Sequence, residues 1–160
     1  NRERDNARWF RRAAYLGHSR AQFNLAVMYE NGKGVAQDYV EALRWYQLAA
    51  GQDDAHAQHN LGVMYDDGRG VAQDEAEAVK WWRQAAEQGF ANSQYNVGYM
   101  YYYGRGVAQD YVQAHMWFSL ATAQGDADAP KYRDFVAGMM TPTQLEEAER
   151  LAREWLEAHQ

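Results

Sequence analysis

Apolar residues recur along this chain at two nested intervals. Over short stretches they fall three or four residues apart, as in Ala21, Leu25, Met28 and Tyr29, the spacing of one helical stripe. Over longer stretches the whole pattern returns every 36 residues: Tyr29, Tyr65 and Tyr101 align, as do Gly32, Gly68 and Gly104, and Trp45, Trp81 and Trp117. Upstream, Trp9-Phe10 and Ala13-Ala14 match Trp45-Tyr46 and Ala49-Ala50, so the chain opens on the second helix of a unit. A fixed period of this length predicts stacked supersecondary units, each too small to bury its apolar face alone.

Each unit reads as helix, glycine turn, helix. Gly32 and its equivalents fall where the first stripe ends, and glycine takes the left-handed backbone that closes many helices. Val35 is expected to pack under the turn. Asp38, Asp74 and Asp110 then precede a second apolar stripe of Ala42, Trp45, Ala49 and their equivalents, with Glu41, Glu77 or Gln113 three residues on. That spacing predicts an N-cap with a reciprocal capping box. After Gly125 the period fades. Thr141-Pro142-Thr143-Gln144 then opens a last helix, with Leu145, Ala148, Ala152 and Trp155 on one side and Glu146, Glu149, Arg150 and Arg153 largely on the other. Such a helix suits the sealing cap that a repeat array needs.

The expected division is therefore 1–18, the second helix of a partial repeat; repeats at 19–54, 55–90 and 91–126; and a degenerate repeat with a capping helix at 127–160, all in one solenoid domain. The missing N-terminal cap favours a segment of a longer array, with Trp9 and Phe10 exposed at that end.

Composition narrows the function. The 160 residues carry a net charge of −6 with both signs interspersed, which argues against a phosphate-backbone partner. Cysteine is absent, removing disulfides and thiolate metal sites. No apolar run reaches the roughly 18–20 residues of a membrane span, so no membrane insertion is expected. The Gly-Lys-Gly and Gly-Arg-Gly turns lack the rest of a dinucleotide or phosphate-loop fingerprint, and no hydrolase motif occurs. No cofactor is implied.

The run AHAQHNLGVMYDDGRGVAQDEAEAVKWWRQAAEQG, with its counterparts one repeat before and after, resembles the Sel-one-like repeat family, a branch of the tetratricopeptide-like helical repeats. The resemblance covers essentially residues 5–126. It implies an all-α, right-handed α-α superhelix, or solenoid, with first helices lining the concave side, and a role in assembling protein complexes. It also points to a bacterial protein, associated with the envelope or acting at a host interface. Cysteine-rich members have been linked to β-lactam binding, but their cysteines are missing here. Ala26 stands where Gly62 and Gly98 do, and Gly51-Gln52-Asp53 departs from the usual repeat ending.

The candidate docking face is the side of each first helix opposite its stripe. It carries Arg20, Phe23, Asn24, Val27 and Glu30, then His56, His59, Asn60, Val63 and Asp66, then Asn92, Tyr95, Asn96, Tyr99 and Tyr102. Phe23, Val27, Val63, Tyr95 and Tyr99 are more apolar than a solvated face requires. They serve either as anchors for a peptide or as packing between neighbouring repeats. Asn24, Asn60 and Asn96 recur identically. The resemblance to tetratricopeptide clamps nominates them as donors to a bound peptide, and a hydrogen bond between repeats is the alternative. Tyr102 and Tyr103 replace polar residues of the earlier repeats, and suit either an interface or packing on the degenerate cap. His56 and His59 make too small a ligand set for a metal. His115 is expected to be a satisfied core partner. The reading is a scaffold for a protein or peptide partner, monomeric and without catalysis; the alternatives are a self-associating structural segment and a β-lactam-binding hydrolase.

Overall fold

Gly32, Gly68 and Gly104 take left-handed backbone with φ of 67°, 69° and 66°, and each closes a first helix. In the computed structural model, which describes residues 1–160, these helices are α2 (Ser19–Asn31), α4 (Ala55–Asp67) and α6 (Ala91–Tyr103). Second helices alternate with them: α1 (Arg2–Tyr15), α3 (Tyr39–Ala50), α5 (Glu75–Glu87) and α7 (Tyr111–Ala123). The short α8 (Ala129–Ala137) and the longer α9 (Pro142–Ala158) complete an all-α chain of nine helices without strands. The chain divides into two compact units, Asn1–Trp81 and Trp82–Gln160, with the boundary inside α5.

The predicted caps form, with one correction. Asp38 accepts from the Val40 and Glu41 amides at 3.0 and 3.1 Å, Asp74 from Glu77 at 3.1 Å and Asp110 from Gln113 at 3.0 Å. The box is not reciprocal, however. The amide of each capping Asp donates instead to a carbonyl of the helix before it, to Tyr29, Tyr65 and Tyr101 at 2.9, 2.9 and 3.0 Å. That amide already has a partner, so Glu41 turns to Arg44 at 3.6 Å. A full box does form at α9, where Thr141 and Gln144 exchange bonds of 3.0 and 3.1 Å.

The core stripe of the first helix also lies somewhat differently from the expected one. Ala21, Gln22, Leu25 and Ala26 are buried in α2, whereas Met28 and Tyr29 are half-buried. The buried polar member repeats: Gln22, Gln58 and Gln94 each donate to the last carbonyls of the preceding helix, those of Ala14, Ala50 and Ala86, at 3.2 Å. The tyrosine hydroxyls repeat their partners too. Arg11 donates to Tyr29 at 3.0 Å, Gln47 to Tyr65 at 3.3 Å and Arg83 to Tyr101 at 2.9 Å. Of the aligned indoles, Trp45 and Trp117 are buried but Trp81 is only half-buried, whereas the next position is buried in all three repeats, as Tyr46, Trp82 and Phe118. Val35 is half-buried, as expected of a residue under the turn.

Gly98 explains one departure among the repeats. A Cβ there would sit 2.9 Å from the Phe118 ring, so glycine keeps α6 close to α7. Asp53 occupies the register of Gly17, Gly89 and Gly125 and adopts their left-handed backbone at φ 64°, the one residue other than glycine to do so. The irregular ending at Gly51-Gln52-Asp53 therefore keeps the shape of its neighbours. Gln52 also donates to Gln22 at 2.8 Å.

In the second unit α9 packs along α7. Ala148 and Ala152 are buried, and Trp155 lies edge-on to Trp117 at 6.5 Å while its indole donates to Glu87 at 3.0 Å. Glu146, Glu149, Arg150 and Arg153 are all exposed. His115 is buried against Ser119 at 3.4 Å, and burial holds its imidazole below the usual histidine range.

Candidate partner-docking face

In the first unit the outer sides of α2 and α4 present Phe23, Asn24, Val27, His59, Asn60 and Val63, all half-buried. Each is held differently. The Phe23 ring meets Tyr46 and His56, both at 5.9 Å, while the Arg20 guanidinium lies 4.5 Å over it and reaches Asp54 at 3.6 Å. Val27 packs on the core.

Asn60 makes a bond between repeats. Its amide donates to the Tyr46 hydroxyl at 3.1 Å, and that hydroxyl donates to a Glu30 carboxylate oxygen at 2.6 Å. Arg69 meets the other Glu30 oxygen at 3.4 Å. Burial, then the adjacent Glu30 carboxylate, holds the Tyr46 hydroxyl protonated well above the ordinary phenol range. Asn60 thus serves the bond between helices. The residues in the register of Tyr46 are Phe10 for Asn24 and Trp82 for Asn96, and neither has a hydroxyl to offer. Identical asparagines therefore stand in different surroundings, and only Asn60 meets such a hydroxyl.

In the second unit the chain itself covers much of the corresponding face. Tyr132 of α8 sits 5.6 Å from Tyr95, 6.2 Å from Tyr99 and stacked 5.6 Å from Phe118. Burial and the Tyr132 hydrogen bond raise the Tyr95 phenol above its ordinary range. Tyr102 is half-buried, its hydroxyl 3.9 Å from the Met139 sulfur. Of the two tyrosines expected at an interface or packed on the degenerate cap, Tyr102 thus touches the cap segment and Tyr103 is an exposed ring, 4.6 Å from Tyr99 and 4.7 Å from Tyr102. Asn96 is half-buried on the same helix. Sequence reasoning missed Tyr132, which stands in the register of Asn96 where the repeat has decayed.

Chemically the face offers apolar area, amides and fixed hydrogen-bond donors. No group of three or more His, Cys, Asp or Glu side chains is placed to hold a metal ion, and no helix is long and apolar enough to cross a membrane.

The fold and this face define an all-α helical repeat protein built from units of 36 residues. The chain belongs to the Sel1 repeat family, whose model matches residues 7–18, 19–54, 55–90 and 91–126. A Sel1 repeat protein from Oxalobacter formigenes is 42% identical, with a TM-score of 0.73 over 78% of this chain and 94% of that one. The protective antigen c5321 of uropathogenic Escherichia coli, which displays the same repeat fold, is 31% identical with a TM-score of 0.72. That match covers 94% of this chain but 40% of the antigen, so the chain spans well under half of its length. Helicobacter pylori cysteine rich protein B shares the fold at 22% identity, with a TM-score of 0.62 over 78% of this chain and 89% of that one. A comparison with curated proteins gave no match. Sel1 repeats generally form protein-interaction scaffolds and are typically non-catalytic.

Proposed function

We propose that this chain is a non-catalytic scaffold that docks a peptide segment of a partner protein on the outer sides of α2 and α4, with Phe23, Val27 and Val63 as the apolar contacts. The observation that supports this reading is the exposure left on those three residues beside polar groups already fixed in place. The Glu30–Tyr46–Asn60 chain holds its side chains before any partner arrives, so docking forfeits little of their rotamer freedom. Asn24 contributes an amide on the same helix as Phe23 and Val27. Tyr95 and Tyr99 serve the fold, because Tyr132 occupies the space beside them.

Peptide display against the full chain, followed by calorimetry on the selected sequence, tests this. Val63→Glu, checked for a native melt, is expected to weaken the selected peptide by roughly tenfold or more, as loss of a central contact does. Tyr103→Ser is expected to leave the affinity within about twofold. Selection of no sequence, or full affinity in the Val63 variant, would overturn the proposal.

A further inference from the structure

Trp9 is exposed, as expected, but Phe10 is half-buried against the core. Other exposed apolar side chains of the first unit gather on the outer side of α3. Val40 is 62% exposed and Leu48 45%, with Arg44 between them on the same helical face. At the close of α1, Tyr15 and Leu16 are 65% and 73% exposed, and the Tyr15 ring lies edge-on to Trp45 at 5.1 Å. Gly51 and Gln52 hold the registers of Tyr15 and Leu16 with a helical unit on either side of them. Both are exposed, so these positions face water in an inner repeat too.

The matching face of α7 is covered, because α9 packs along it. Trp155 lies edge-on to Trp117 at 6.5 Å, donates to Glu87 at 3.0 Å, and sits where a Cβ on Gly89 would meet it at 3.9 Å. Gln144, Glu147 and Arg150 of α9 share a cleft with Val112, while Met116 and Leu120 are buried. Val40, Arg44 and Leu48 hold the registers of Val112, Met116 and Leu120, and Gly17 holds that of Gly89. A Cβ on Gly17 would meet nothing within 4 Å. The other second helices carry no large apolar side chain there, with Arg4, Arg8 and Arg12 in α1 and Ala76, Lys80 and Gln84 in α5. α3 alone keeps large apolar residues on that face with no helix over them.

We propose that the outer face of α3, with Tyr15 and Leu16, docks an acidic amphipathic helix of a partner protein, which brings an indole to the Tyr15–Trp45 corner as α9 brings Trp155 to Trp117. Two observations choose this occupant. The helix that the matching face accepts in the same chain, α9, carries five glutamates and two arginines. The face on α3 is also basic where that on α7 is apolar. Arg44 replaces Met116, and Arg8 and Arg12, exposed and joined to no carboxylate, form the neighbouring row on α1. Arg44 reaches Glu41 at 3.6 Å but its side chain stays 56% exposed. An acidic helix answers this charge while its apolar stripe covers Val40 and Leu48. The inference concerns a surface other than Val27 and Val63, and it does not depend on the docking face proposed there.

The probe is a stapled, labelled peptide with the Pro142–Ala158 sequence, titrated into the full chain by fluorescence anisotropy. Saturable binding is expected. Replacing the probe's Trp by Ala, or three of its glutamates by lysine, should weaken it by roughly tenfold in each case. In the protein, Leu48→Glu should abolish binding and Arg12→Glu should weaken it, while Val63→Glu should leave it within about twofold. Leu48 and Arg12 are exposed, so both variants should keep the native melt. If Leu48→Glu does not, Tyr15→Ser takes its place, with an expected loss of about tenfold. Absence of saturable binding, or equal affinity for the glutamate and lysine probes, overturns the proposal. So does full affinity in the Leu48 variant, which would mean that the probe had displaced α9 from α7. A dimer in light scattering that Leu48→Glu dissolves would overturn it as well, because a second copy of the chain would then hold the face.

Discussion

His59 shows how a single side chain records its burial. Removal from water, followed by the nearby His56, brings its pKa down from 6.5 to about 4. The folded protein therefore keeps this imidazole neutral at pH values where the unfolded chain would already protonate it. Stability linked to His59 is fully present above pH 6.5 and is lost as pH falls from 6.5 towards 4. The ring is half-buried, so the loss is of the order of 1–2 kcal/mol rather than the full value of the shift. Urea denaturation at pH 7.0, 5.5 and 4.0 should show His59→Gln losing less stability across that window than the wild-type chain. Parallel losses in the two proteins would refute the assignment.

The turn between first and second helices has two glycines with separate duties. Gly68 needs its left-handed backbone, but a Cβ there would meet only the Gln73 side chain and backbone, at 3.3 Å. Gly70, at φ 70°, is pressed against the start of α3, where a Cβ would lie 2.5 Å from the Tyr39 carbonyl oxygen. Gly34 makes the same approach to the backbone at Glu3. Gly68→Ala should therefore cost about 1 kcal/mol, from backbone strain alone. Gly70→Ala should cost about 3 kcal/mol, because the turn must move off the backbone at the start of α3. Chemical denaturation of both variants checks the order, and equal costs would mean that the second glycine has no stacking role. At this scale the sequence was readable wherever the cause is local: the glycine stops and the Asp caps depend on neighbours a few residues away. The failed half of the capping box was not readable, because the Tyr29 carbonyl that claims the Asp38 amide arrives through the fold of the turn. Gln22, Gln58 and Gln94 recurred in plain view, but a polar residue facing inward needs a carbonyl partner that only coordinates reveal.

For the molecule as a whole, the same divide separates the repeats from their cap. Where the period holds, the first-helix and second-helix positions of one unit predict those of the next. Where it fades, Tyr132 enters against Tyr95 and Tyr99, and nothing in the spacing of those tyrosines announces it. The second unit thus depends on its terminal helices in a way the first does not. Trp155 links α9 to both Trp117 and Glu87, and repeat arrays distribute stability through neighbouring contacts instead of sharing it evenly. Trp155→Ala should accordingly speed hydrogen exchange of α7, α8 and α9 while the amides of α2 and α3 keep their protection. The indole is half-buried, so a loss of about 2 kcal/mol is expected, below the range for a fully buried tryptophan. Exchange measured by mass spectrometry separates the two outcomes. Uniform acceleration through α1 to α9 would make the chain one cooperative body, whereas acceleration confined to residues beyond Trp82 would assign the cap to the second unit alone.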